Sequence, residues 1–286
     1  MDKDILTLIE ETSPKFSKGQ RRIAEYVLNN YDKAASMTAS RLGRVVDVSE
    51  STVVRFASEL GYDGYPEMRR ALRDMIRSRL TSVQRIEVAK ELMESQDILS
   101  HVLSSDIEQI RITLEEANRQ DFDAAVEKIV NAKKIYIFGH RSSAALSSFL
   151  GFYFNLLFEN VHVVTESSAC EVFEQILRIG AGDVFIALSF PRYSSRTVRA
   201  MPYAKDMGAD VIGITDNSAS PIAKLSTLAL YAKSDMVSFI DTLVAPLSLV
   251  NALIVATSAK AGNLYSNFER LERIWDEYEV YEKIDV

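Results

Sequence analysis

Between Thr38 and Gly61, apolar positions recur at helical spacing in two short runs with a polar turn between them. Leu42, Val45 and Val46 make the first run. Val53, Val54, Phe56 and Leu60 make the second. Steps of three and four mark amphipathic helices, so the two runs are expected to face each other across Asp47-Val48-Ser49. Thr38 and Ser49 suit the N-cap positions, because a hydroxyl there accepts from an orphan N–H of the first turn. Gly61 suits the stop just past Leu60. Upstream, the pattern predicts a short helix over residues 4–11, broken at Ser13-Pro14. A second helix is capped by Ser17 and runs to Leu28, with Asn29-Asn30-Tyr31-Asp32 ending it. Downstream, a helix runs from Tyr65 to Leu80 with Pro66 in its first turn. The first eighty residues therefore read as a compact five-helix domain.

Residues 81–131 contain neither Gly nor Pro. Val83, Ile86, Val88 and Leu92, then Ile98, Val102, Leu103, Ile107, Ile110 and Leu114, predict two or three helices, which makes this a helical connector. A further helix over 121–130 leads onward. From Lys134 the period changes. Residues 134–139, 161–165, 183–189, 210–215 and 227–231 are short and almost continuously apolar, and helical patterns separate most of them. Strands of that kind belong to a parallel sheet covered on both faces. Residues 239–260 and 265–280 supply two closing helices. The expected architecture has two domains: an all-α helix-turn-helix bundle over 1–80, and after the 81–131 connector an α/β doubly wound parallel five-stranded sheet over 132–286.

Charge refines this picture. The chain of 286 residues carries a net −7, but unevenly. Residues 1–80 hold 14 Lys and Arg against 12 Asp and Glu, and the remainder 19 against 28. The acidity thus sits in the second part, leaving local basic patches to the first. The single cysteine, Cys170, rules out an intrachain disulfide and fits a reducing cytoplasm. Its isolation, with His101, His140 and His162 far apart in sequence, argues against a metal site. The N-terminus lacks a basic region and an apolar core of the signal-peptide type, and no apolar run reaches the roughly 18 residues of a membrane span.

Two places carry candidate chemistry. In the helical pair, the inward packing leaves Ser51, Thr52 and Arg55 on the leading face of the second helix. A helix so presented enters the major groove of duplex DNA first turn foremost, while the preceding helix crosses the backbone. Thr38, Arg41 and Arg44 on that preceding helix, and Ser49 at the turn, complete the expected DNA-contacting set. The arginines at 69, 70, 73, 77 and 79 fit a phosphate-contacting face and a solvated helix face equally. In the sheet, ligands bind beyond the carboxyl ends of the strands. There the first strand delivers Arg141, Ser142 and Ser143. The third delivers Ser189, then Arg192, Tyr193, Ser194, Ser195, Arg196 and Thr197, and the fourth Thr215, Asp216, Asn217 and Ser218. Hydroxyls and N–H groups at helix starts favour an anion, phosphate above all. Gly139-His-Arg-Ser-Ser143 lacks the later glycines of a dinucleotide fingerprint, so no cofactor is expected.

This order of elements resembles the RpiR/MurR transcriptional regulators, whose second domain is the sugar isomerase (SIS) fold. The resemblance rests on Val48-Ser-Glu-Ser-Thr-Val-Val-Arg-Phe56 with Leu60-Gly-Tyr62, and on Ser142, Ser143, Ser189, Ser218, Ser220 and Pro221. It implies a cytoplasmic regulator that binds an operator as a homodimer or homotetramer and senses a sugar phosphate or related anion. The family's phosphate loop reads S-x-S-G-x-T; here it reads Ser189-Phe-Pro-Arg-Tyr-Ser194, with Pro191 and Arg192 in place of the serine and glycine. The alternative is a sugar-phosphate isomerase, whose base would be His140, Glu166 or Glu171. No acid and base are paired at meaningful spacing, and no catalytic residue is assigned.

Overall fold

The computed structural model describes residues 5–79, 81–90, 97–165, 169–236, 239–262 and 264–282. Leu92 and Glu166 lie outside them, as do the side chains of Arg77, Arg79, Cys170 and Glu171. The chain forms two compact units, residues 1–88 and 89–286.

The first unit contains α1 (Ile5–Thr12), a 3-10 turn (Ser13–Lys15), α2 (Lys18–Asn29), α3 (Tyr31–Ser36), α4 (Ala39–Val45), α5 (Glu50–Glu59), α6 (Tyr65–Arg79) and α7 (Ser82–Val88). Ser17 caps α2 in a full capping box with Gln20. The helix α3 is an addition to the sequence expectation. Asn30 and Tyr31 do end α2, but the chain restarts a helix at once and buries Ala34 and Ala35. The core collects Ile9, Ile23, Val27, Leu42, Val53, Phe56, Met68 and Leu72, all fully buried. Phe16 and Phe56 meet with ring centroids 5.1 Å apart. Tyr65 spans the unit, its hydroxyl donating to the carbonyls of Ala34 and Met37, and burial pushes its phenol up.

The second unit contains α8 (Ile98–Glu116), α9 (Arg119–Val130), β1 (Ile135–Gly139), α10 (Ser143–Leu157), β2 (Val161–Val164), α11 (Ala169–Gln175), β3 (Val184–Leu188), α12 (Ser195–Asp206), β4 (Asp210–Thr215), α13 (Pro221–Leu225), β5 (Leu228–Tyr231), α14 (Val244–Lys260) and α15 (Leu264–Glu277). The strands form one sheet in the order β2-β1-β3-β4-β5, and every pair is parallel. Ile137, Ile186, Ile212 and Ile214 point to one face, which Leu150, Phe154, Val250 and Leu253 cover from α10 and α14. Phe138, Phe185, Ala187 and Val211 point to the other, covered by Val172, Ala200, Met201 and Ile222 from α11, α12 and α13. Burial on both faces is why these strands read as apolar runs. The closing helix starts later than expected. Residues 239–243 are not helical, and a bridge joins Met236 to Asp241 ahead of α14.

Among the described residues no single helix is long and apolar enough to cross a membrane.

The turn between α4 and α5 depends on close backbone approach. A Cβ on Gly43 would lie 2.8 Å from the Val48 carbonyl oxygen, and Asp47 takes a left-handed φ of 54°. Gly43→Ala sets two effects against each other. Better helix propensity contributes about 1 kcal/mol, and overpacking against fixed backbone costs about 1–3 kcal/mol. The expected net is a loss of stability, read as a lowered melting temperature of the helical unit.

Candidate functional site

The helix pair α4–α5 presents its residues largely as the sequence implied. Leu42, Val46, Val53, Phe56 and Leu60 are buried. Val45 and Val54 are not, being 49% and 39% exposed. They fall beside the apolar stripe, not on it, and the sequence expectation is corrected there; Ala57, fully buried, takes the inward place. The Thr38 hydroxyl accepts from the Arg41 N–H at 3.2 Å and caps α4. Ser49 caps α5, accepting from the Thr52 N–H at 3.3 Å. Its hydroxyl also lies 2.9 Å from that of Ser51 and 2.8 Å from that of Thr52. The first turn of α5 thus carries three linked hydroxyls above a helix N-terminus, where unpaired N–H groups and the macrodipole favour an anion such as a DNA phosphate. One turn on, Arg55 is exposed, its Nε 3.4 Å from the Ser51 carbonyl oxygen. Arg41 and Arg44 are exposed on α4. Arg22 pairs with Asp47 at 3.1 Å and holds the turn from α2. Arg69 is half-buried and donates to the Met37 carbonyl, which makes its work structural.

In the second unit the β1 and β3 loops emerge side by side, because Gly139 and Leu188 are register partners at the ends of adjacent parallel strands. The chain turns sharply in both loops at an arginine: Arg141 has φ 55° and Arg192 φ 61°. Non-glycine residues pay for that conformation, and such strain persists where surrounding structure imposes it. Arg192 occupies the position where the resembled loop has glycine, and it keeps the backbone conformation that glycine takes without penalty. Ser142 and Ser194 stand at the N-caps of α10 and α12, and neither hydroxyl makes a capping bond. Ser143 and Ser189 are buried, Ser142 and Ser195 exposed. The Ser194 N–H donates to the Ser189 hydroxyl at 3.0 Å, closing the loop on itself.

The loop is also tied to β4. The Tyr193 hydroxyl donates to the buried Asp216 carboxylate at 2.8 Å, which accepts as well from Thr215 and Asn217. Asp216 is therefore a brace for the β3 loop. Ser220, which caps α13 by accepting from the Ala223 N–H, is fully used as a cap. His140 lies half-buried beside the β1 loop; His162 stacks on Tyr136 at 4.9 Å, and His101 is exposed on α8. Among the described residues no three His, Cys, Asp or Glu side chains come together as a metal-holding group.

Thr197 is among the residues that the sequence places after the third strand. It sits in the first turn of α12, fully buried, and its hydroxyl has no hydrogen-bond partner. The sequence shows a hydroxyl at this position, and the structure adds that it is buried without a partner.

Two family models match the chain: a helix-turn-helix domain of the rpiR family over residues 3–79 and a SIS domain over residues 128–256. The chain belongs to the rpiR family of helix-turn-helix regulators that carry a SIS domain. It is 27% identical over 239 residues to the HTH-type transcriptional regulator HexR of Pseudomonas aeruginosa, covering 80% of this chain and 78% of that one. The sugar isomerase domain of an RpiR transcription factor from Sphaerobacter thermophilus superposes with TM-score 0.59 and 27% identity, over 62% of this chain and 99% of that one. The Vibrio vulnificus NanR protein, solved in complex with ManNAc-6P, superposes with TM-score 0.59 and 22% identity, over 96% and 98% of the two chains.

An unpartnered buried hydroxyl costs about 1–3 kcal/mol. Thr197→Val, which keeps the shape and removes the hydroxyl, is therefore expected to raise the ligand-free melting temperature of the α/β unit. A lowered melting temperature would show that the hydroxyl has a partner in solution.

Proposed function

We propose that this regulator reads an operator with α5 and senses a sugar phosphate in the crevice between the β1 and β3 loops. The helical reader corresponds to residues 1–80, the connector to 81–131 and the sensor to 132–286. The observation that carries the reading is the leading turn of α5. Its inner face is locked by Val53 and Phe56 while Ser51 and Arg55 are exposed and Thr52 is half-buried between them. Arg55 has the length and the donor fork for a guanine edge. Ser49, Ser51 and Thr52 are placed for phosphate contacts, as are Thr38, Arg41 and Arg44 at the start and outer face of α4. With a local excess of only two positive charges in residues 1–80, binding rests on these contacts more than on a diffuse electrostatic grip.

In the crevice, Ser142, Ser143, Ser194 and Ser195 stand at two adjacent helix starts, with Arg141 and Arg192 at the loop apices. That set recognises a phosphoryl group by hydroxyls, N–H groups and guanidinium donors. Two features support an ordinary phosphate loop despite Pro191 and Arg192: the retained left-handed backbone at 192 and the Ser189–Ser194 closure. The function proposed is sensing and not isomerisation, because the chain joins the SIS domain to a helix-turn-helix domain and its relatives are named transcriptional regulators. The protein acts in the cytoplasm as a homo-oligomer, because a two-fold operator requires paired heads.

Two measurements test this. Arg55→Ala is expected to weaken operator binding by roughly 5- to 150-fold with the melting temperature unchanged, the range given by about 1–3 kcal/mol for a bidentate base contact. A gel shift with unaltered affinity would remove Arg55 from the interface. A thermal-shift series of sugar phosphates against the full chain is expected to find at least one stabilising compound, with the shift lost in Ser189→Ala. Retention of the shift in that variant would place the ligand elsewhere.

A further inference from the structure

The net positive charge of residues 1–80 sits beside the reading helix rather than on it. The helix α5 carries Arg55 against Glu50 and Glu59. Residues 12–24 hold Lys15, Lys18, Arg21 and Arg22 and no carboxylate, which leaves 10 Lys and Arg against 12 Asp and Glu elsewhere in 1–80. This basic stretch is the 3-10 turn with the start of α2, and it is pinned to α5 and its turn at three points. The Phe16 ring meets that of Phe56, with centroids 5.1 Å apart. A Cβ on Gly19 would stand 3.4 Å from both Thr52 Cγ2 and Val48 Cγ1, so the first turn of α2 lies against the leading turn of α5. Arg22 pairs with Asp47 at 3.1 Å. Lys18 falls between the first two of these points. It is exposed and makes no ion pair with any described residue. Arg21 turns the other way, onto a cleft that it lines with Glu10 and Glu25.

We propose that Lys18 grips a DNA phosphate on the wall of the groove that α5 enters. Width decides what stands beside the helix. The major groove of B-DNA is about 12 Å across, and a helix with its side chains is about 10–12 Å in diameter, so α5 fills the groove. A cation carried on the flank of the leading turn then meets a wall, and the walls are phosphates. Lysine suits that contact, being a compact point charge on a flexible stem. Contacts to phosphate fix position and carry no sequence information directly. The carboxylate at the turn, Asp47, is already engaged by Arg22. The proposal rests on the operator reading and extends it to a helix outside the α4–α5 pair, as a contact that sequence does not modulate.

The experiment is the salt dependence of duplex binding by the full chain, followed by fluorescence anisotropy on a labelled duplex of random sequence. Each phosphate neutralised contributes about 0.9 to the slope of log affinity against log salt. Lys18→Ala is expected to lower that slope by about 0.9 for each head engaged. Between 50 and 200 mM salt that is a roughly 3.5-fold smaller loss of affinity per head, with the melting temperature unchanged. Lys18→Arg is expected to keep the wild-type slope, and so is Arg21→Ala, whose charge lies on the far side of α2. On an operator selected from a random pool, Lys18→Ala is expected to weaken binding by the same factor as on the random duplex.

Three results would each overturn the proposal. A slope unchanged in Lys18→Ala means no contact. An equal fall in Arg21→Ala means a diffuse field. A loss confined to the operator means a base contact. Arg55→Ala reads the other claim, because its effect is expected on the operator alone. An intact operator affinity in Arg55→Ala beside a lowered slope in Lys18→Ala would remove the base contact and leave the phosphate contact standing. A wild type that binds neither duplex would overturn both.

Discussion

All five strands of the sheet run in the same direction, and that one constraint places the candidate sensor site. A parallel pair needs a crossover, and each crossover here is a helix whose N-terminus opens at the carboxyl edge of the sheet. Because β1 and β3 are neighbours, the starts of α10 and α12 open side by side. An antiparallel pairing would send Ser142 and Ser194 to opposite edges. The cost falls on the loops, where Arg141 and Arg192 are held in left-handed backbone, and the Tyr193–Asp216 bond secures the second of them. Chemistry for an anion and strain in the backbone therefore arise from the same topological cause.

The helical unit solves a different problem by a related device. An exposed reading face demands that the opposite face be immobile. Val53, Phe56 and Ala57 fix α5 from beneath, Gly43 lets the turn close tightly enough for α4 to lie against it, and the Arg22–Asp47 pair holds the turn from α2. Ser49 then does two things with one hydroxyl, capping the helix and linking Ser51 and Thr52. The polar groups of the leading turn are thus positioned by the helix cap itself.

Much of this was legible in the sequence, and the exceptions share a cause. Strands buried on both faces read as apolar runs, and caps such as Ser17, Thr38 and Ser49 carry a local chemical signature, so these elements stood out. Val45 and Val54 misled because apolar character was taken as inward orientation, whereas both sit just beside the packed stripe. The helix at Tyr31–Ser36 was hidden because Asn30 and Tyr31 stop one helix and begin another with no intervening loop. The segment 239–243 looked helical by its apolar content, but Thr242 is taken up by Asp106 of α8, a partner far away in sequence. Of the candidate site, the serines, the arginines and Thr197 were visible by type; the burial of the Thr197 hydroxyl without a partner and the brace from Tyr193 to Asp216 exist only once the strands are assembled.

In the proposed function an anion held at the edge of the sheet changes how the helical unit holds DNA. Such coupling is a free energy shared by both ligands, so each must alter the affinity of the other by the same factor. The decisive measurement is the operator affinity of the full chain at saturating and at zero concentration of a sugar phosphate that it binds, paired with the affinity for that sugar phosphate with and without operator. The two ratios are expected to be equal and to differ from one by roughly 5-fold or more, in line with a coupling of about 1–3 kcal/mol. An operator affinity that stays the same while the crevice is filled would rule out coupling between effector and DNA.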